Sequence, residues 1–126
     1  MGTAKLIGGA ALEVVPLELI TDVARAPYAV LHVSGEVDLY TAPQLRERLA
    51  CLVRKGNYAV VVDLEGVEFL DSTGLRVLVE SRQRLRSAGG VLRVVCTRRV
   101  ILKTFEITGL DKVMPPYRSV EEALAS

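Results

Sequence analysis

The sequence predicts an α/β domain in which helices pack on a central sheet. Three observations carry this reading. Runs of β-branched and apolar residues alternate with segments whose apolar residues recur at helical spacing. Gly, Pro, Ser and Asp stand at the junctions, where turns and caps need them. The 126 residues, half hydrophobic and a quarter charged, suffice for one buried core and one domain.

The elements follow in order. Residues 1–15 are small and weakly patterned and read as a flexible leader, in part an added tag or a short strand; the domain spans 16–126. Residues 17–23 alternate in part and predict an edge strand. Residues 28–33 (YAVLHV) are rich in β-formers, with Pro27 before them and Gly35 after. A helix starts at Thr41, which has capping-box spacing to Gln44, with Pro43 in the first turn. Leu45, Leu49, Leu52 and Val53 form its apolar stripe, and Gly56-Asn57 stops it.

Residues 58–64 (YAVVVDL) read as a strand covered on both faces. Glu65-Gly66 is then expected to turn the chain, and Val67, Phe69 and Leu70 to return it to the core. The next helix spans 72–87, with Leu75, Leu78, Val79 and Leu85 on one side, and Gly89-Gly90 ends it. Residues 91–96 form a strand, and 98–107 a short helix closed by Gly109. Val113-Met114 predicts a brief final strand. Residues 119–125 predict a last helix, with Ser119 and Glu122 in capping-box register.

Composition excludes several classes. Sixteen Lys and Arg against 15 Asp and Glu give a formal charge of +1, which argues against a general nucleic-acid binder. Mean hydropathy is +0.31, yet no apolar run approaches the roughly 20 residues of a membrane span. The start lacks the pattern of a signal peptide, so a cytoplasmic chain is expected, with no membrane partner. Cys51 and Cys96 form no C-x-x-C and read as small buried hydrophobes. The single histidine, His32, lies in an apolar strand and reads as a core or half-buried residue in preference to a catalytic one. The acidic group Asp63, Glu65, Glu68 and Asp71 matches no metal motif, and no phosphate-binding glycine loop is present. No cofactor is expected.

Two segments can carry chemistry. In Asp71-Ser72-Thr73-Gly74 a carboxylate and two hydroxyls stand where a helix begins. The first N–H groups of a helix are unpaired and its dipole is positive there, so the end accepts a carboxylate or a phosphate. The segment reads either as an N-cap or as a phosphorylatable hydroxyl on a helix start. Gly35-Glu36-Val37-Asp38, followed by Thr41-Ala42, likewise joins a strand to a helix. Such junctions share one edge of a parallel sheet, where ligands bind. The stretch 76–103 holds eight Lys or Arg and one acid, Glu80. It reads as a solvated basic face or as a contact for an acidic partner or a nucleotide phosphate.

The pairing of G-E-V-D with T-A, then V-V-V-D-L-E-G-V-E-F-L-D-S-T-G-L, resembles the STAS domain, most of all the bacterial anti-sigma factor antagonists. The resemblance spans roughly 17–125. It implies a STAS fold, a small mixed, mostly parallel sheet with about four helices packed on one side. It also implies partner switching by a protein that is not an enzyme. The unphosphorylated antagonist binds an anti-sigma factor serine kinase, which uses ATP, and a sigma factor is released. Phosphorylation on Ser72 then abolishes binding, and a serine/threonine phosphatase resets the protein. Asp38, Asp71, Thr73, Gly74 and Arg76 are implied to belong to the partner-binding surface. Arg76 stands where several relatives carry Gly, which puts a cation near the site. A weak homodimer is left open. Two other readings stay open: a non-phosphorylated STAS subunit of a lipid-transport or signalling assembly, and a nucleotide-binding STAS module.

Overall fold

The computed structural model describes residues 4–7, 10–13 and 15–126. Strands β1 (Ala4–Ile7) and β2 (Ala10–Glu13) pair antiparallel as a two-stranded sheet of their own. They fall in the segment read as a leader, of which residues 1–3, 8, 9 and 14 lie outside the described residues.

The main sheet has four strands: β3 (Glu18–Asp22), β4 (Tyr28–Val37), β5 (Ala59–Leu70) and β6 (Val91–Val95). Their spatial order is β3-β4-β5-β6. Strand β3 runs antiparallel to β4 at one edge, and β4, β5 and β6 are parallel. Each parallel step needs a crossover, and helices supply both. Helix α1 (Ala42–Arg54) links β4 to β5, and α2 (Ser72–Ser87) links β5 to β6. Helices α3 (Arg99–Thr108), α4 (Leu110–Val113) and α5 (Val120–Ala125) follow.

The main core lies between the sheet and three helices. Leu31, Val33, Val60, Val62, Leu64 and Val94 point up from the strands. Leu45 and Leu49 of α1, Leu78 and Leu85 of α2, and Ile101 and Phe105 of α3 close over them. Each fully buried side chain of this kind contributes roughly 1.5–3 kcal/mol. The opposite face has a smaller cluster, where Ala123 of α5 meets Val30, Val61 and Val95. Helices therefore lie on both faces, not on one. This second cover explains why β4 and β5 read as near-continuous apolar runs.

Three expectations are corrected. Glu65-Gly66 does not turn the chain; β5 continues to Leu70. The ladder absorbs extra residues instead: Asp63 pairs with His32 but Gly66 with Ser34, and Val67 pairs with Gly35 but Phe69 with Glu36. Each slip places one more residue on β5 than on β4 and bends the strand without ending it. Val67 and Leu70 reach the core, whereas Phe69 is 47% exposed. Val113-Met114 is not a strand, because Val113 ends α4 and Met114 is its C-cap. Pro115 and Pro116 have no N–H for a ladder, so only Tyr117 pairs, in a single parallel bridge to Val95. The expected ends at Gly109 and Ser119 hold. Gly109 takes a left-handed conformation (φ 75°) after α3, and the Ser119 hydroxyl accepts from Glu122 N–H.

Candidate functional site

Parallel strands β4 and β5 end side by side, and α1 and α2 begin at that edge. Val37 pairs with Leu70, and the Asp71 N–H donates to the Val37 carbonyl at 3.2 Å. The G-E-V-D and D-S-T-G segments are thereby stitched together, as their positions at strand-to-helix junctions imply.

Asp71 is the N-cap of α2. Its backbone is extended, and Oδ1 accepts from Thr73 N–H at 2.9 Å and Gly74 N–H at 3.1 Å. Leu75 N–H donates to the Asp71 carbonyl and opens the helical ladder. Three N–H groups precede that first bond, and the Asp71 carboxylate occupies two of them. Gly74 is buried for a steric reason. A Cβ there would stand 2.4 Å from Leu70 Cδ1 and 2.8 Å from Val37 Cγ1. Its absence lets the first turn of α2 sit directly on the ends of β4 and β5.

Ser72, the first residue of α2, is exposed, and its hydroxyl makes no hydrogen bond among the described residues. Thr73 is half-buried. Arg76 is exposed on α2, four residues beyond Ser72 and on the same helix face, and has no ion pair among the described residues.

Asp38 sits differently from an open docking residue. It is only 7% exposed, and its Oδ1 accepts from Tyr40 N–H at 2.9 Å and Thr41 N–H at 3.0 Å. Thr41 does not form a capping box with Gln44. Its hydroxyl accepts from Asp38 N–H and lies 2.8 Å from the Glu36 carbonyl and 3.2 Å from Asp38 Oδ1. Thr41 faces back into the loop because the Asp38 turn offers it closer partners than the helix does. The loop then holds Leu39 and Tyr40 outward, 64% and 78% exposed. With Phe69 of β5, they are large apolar side chains left exposed at the sheet edge where α1 and α2 begin. The sequence reading missed these three residues. Their one signal was large apolar side chains within otherwise polar junctions.

The remaining candidates lie elsewhere. His32 and Asp63 pair across β4 and β5 at 2.8 Å on the face opposite the main core. Cys51 is half-buried and Cys96 buried, and both are free. Burial pushes the Cys96 thiol above its ordinary value. No group of three or more His, Cys, Asp or Glu that could hold a metal occurs among the described residues. No helix among them is long and apolar enough to cross a membrane.

The fold and this junction are those of one family. The STAS domain matches residues 18–123, and the chain belongs to that family. Within it, the chain is similar to proteins that carry one name. RsfB, an anti-sigma-F factor antagonist of Mycobacterium tuberculosis, is 37% identical over 99 residues, 76% of this chain and 78% of that protein. An anti-sigma-B factor antagonist of Bacillus subtilis is 34% identical over 84 residues, 67% of this chain and 76% of that protein. A solved anti-sigma factor antagonist from Mycobacterium paratuberculosis superposes with a TM-score of 0.80 at 33% identity, covering 87% of this chain and 92% of that one. Unphosphorylated SpoIIAA shares the fold, with a TM-score of 0.71 at 23% identity over 86% of this chain and 93% of its own.

Proposed function

We propose that this chain is an anti-sigma factor antagonist whose binding is switched at Ser72. The unphosphorylated form binds an anti-sigma factor that is also a serine kinase, and a sigma factor is freed. The kinase transfers the γ-phosphoryl group of ATP to Ser72 Oγ, with ADP leaving, and the modified chain dissociates. A serine/threonine phosphatase hydrolyses the phosphoserine and restores the binding form. The chain supplies the acceptor and the docking surface; the transfer chemistry belongs to its partners.

One observation carries the reading. Ser72 is an exposed hydroxyl at a helix start, without a hydrogen bond among the described residues, on the sheet edge that also exposes Leu39, Tyr40 and Phe69. A phosphate there adds about −1.5 to −2 charges. Two of the three free N–H groups at this helix end already serve Asp71, so the helix cannot swallow the new group. The phosphate projects outward beside the Asp71 carboxylate, with Arg76 one turn away as its nearest cation along α2. An interface closed over the apolar surface would then bury an uncompensated charge. That costs about 3–5 kcal/mol, roughly two to three and a half orders of magnitude in affinity. The fold itself need not move, because Ser72 faces solvent.

The experiment is phosphate mapping by mass spectrometry after incubation with cognate anti-sigma kinases and ATP, run beside a binding assay. The expected result is one phosphate on Ser72 and loss of the complex. Ser72→Ala should stay bound in ATP, and Ser72→Asp should bind weakly while melting like the parent. Release of Ser72→Ala by ATP, or a phosphate on Thr73 in its place, would refute Ser72 as the switch.

A further inference from the structure

We infer that a second site, the cleft between the C-terminal half of α2 and the free edge of β6, binds a small polyanion: a phosphate ester or a polycarboxylate. The cleft measures ≈ 250 Å³ and is lined by Arg82, Arg86, Leu92, Arg93, Met114 and Tyr117, among others, with no carboxylate in its wall.

Charge is the first argument. Arg82 and Arg86 are one helical turn apart and share a face. Neither has an ion pair or a side-chain hydrogen bond among the described residues, whereas Arg25, Arg46 and Arg54 each reach a glutamate. Arg93 also lines the cleft, but its guanidinium is turned to the α5 face of the sheet and held there from three sides. It donates to the Ala123 and Ser126 carbonyls at 2.6 Å each and lies against the rings of Tyr28 and Tyr117. Arg82 and Arg86, two unpaired cations one turn apart in the cleft wall, repel one another until an anion enters. The negative end of α2 is close, and Arg84 and Arg86 in its last turn offset it.

The backbone is the second argument. Strand β6 is an edge of the sheet. Val91 N–H donates inward to the Tyr58 carbonyl. Tyr117 N–H donates to the Val94 carbonyl and Cys96 N–H to the Tyr117 carbonyl, both on the outer side. By that alternation the Leu92 N–H and carbonyl also point outward. Beyond Tyr117 the chain cannot pair on toward Leu92, since Pro115 and Pro116 carry no N–H. The Leu92 edge thus faces the cleft with no strand opposite. An open amide donor in a cleft that also carries the Arg82 and Arg86 guanidiniums suits an oxyanion.

Size narrows the class. Sites for drug-sized ligands run to roughly 300–1,000 Å³, so this cleft takes a smaller molecule. Arg82 is ten residues from Ser72, about 15 Å along α2 at 1.5 Å per residue. A ligand here leaves the Ser72 face open, and the inference stands whether or not Ser72 is a switch.

The test titrates the full chain with pyrophosphate and, separately, with citrate, at low and at physiological salt, followed by amide NMR. The expected result is saturable binding of one ion per chain with the Leu92 N–H among the shifted signals. The Arg82→Gln/Arg86→Gln double variant should weaken binding at least about tenfold. Arg84→Gln, which removes a neighbouring charge that does not line the cleft, should change it less than about twofold. If the double variant melts early, Arg86→Gln alone, at an exposed position, replaces it. Tighter pyrophosphate binding assigns a phosphate ester, and tighter citrate binding a polycarboxylate. Saturation by neither probe, equal weakening by Arg84→Gln, or shifts confined to Thr73 and Gly74 would overturn the site.

Discussion

Replacing Asp71 with alanine removes one oxygen that serves two amides. Asp71 Oδ1 holds Thr73 N–H at 2.9 Å and Gly74 N–H at 3.1 Å. Truncation of an N-cap costs about 0.5–2 kcal/mol. Here two donors are stranded, and Gly74 is buried where water cannot replace the lost acceptor, so the upper end applies, about 2 kcal/mol. For a domain of this size that lowers Tm by roughly 6–10 °C. Asp71→Asn keeps a side-chain oxygen in the same place and should stay within about 0.5 kcal/mol of the parent. The assay is urea unfolding of the three proteins at neutral pH, with a common slope as evidence of a common transition. If Asp71→Ala unfolds within about 0.3 kcal/mol of the parent, the two amides have found other acceptors and the capping argument is wrong. The asparagine variant adds a separate readout. Since it keeps the cap and loses only the charge, any change in its affinity for an anti-sigma factor measures the carboxylate's part in docking.

Three further outcomes are expected. Gly74→Ala should cost about 1–3 kcal/mol by forcing its Cβ into Leu70 and Val37, while Ser72→Ala, at an exposed neighbour, stays within about 0.5 kcal/mol; equal melting of the two would remove the close-approach argument. Leu39→Asp and Tyr40→Asp should weaken binding to an anti-sigma factor by about tenfold or more with an unchanged unfolding midpoint, because both side chains are exposed; unaltered affinity would place the docking surface elsewhere. Cys96, whose thiol burial pushes up, holds its proton more tightly folded than unfolded. Its contribution is full below the unfolded thiol's pKa, near 8.5, and is lost as pH rises beyond it. The parent should therefore lose stability between about pH 8 and 10 more steeply than Cys96→Ala does, and equal slopes in urea midpoints would contradict the burial effect.

Much of this protein was legible locally. The α2 start at Asp71-Ser72-Thr73-Gly74 was readable because a cap needs only its own side chain and the next two amides. Helix periodicity placed Leu45, Leu49, Leu78 and Leu85 in the core, and the left-handed Gly109 closed α3 where expected. Strand-to-helix junctions also foretold that the two polar segments would meet, since parallel strands end on one edge. The motif pairing identified the family before any contact was known.

Other features answered to forces that act between distant residues. Glu65-Gly66 has turn composition, yet the pairing of Gly66 with Ser34 and of Val67 with Gly35 outweighs it and bends β5 in place of ending it. Asp38 and Ser72 both read as surface groups. The loop amides of Tyr40 and Thr41 bury the first, while the second is left open. Leu39, Tyr40 and Phe69 are hydrophobic by sequence but exposed by position, at a sheet edge where no helix covers them. Local chemistry determined which segments form helices, strands and caps, because those choices are made over a few residues. Which face each residue shows, and which loops share a surface, was decided only when the sheet register and the helix placement closed the core. Those pairings join residues far apart in the chain, and no short stretch of sequence encodes them.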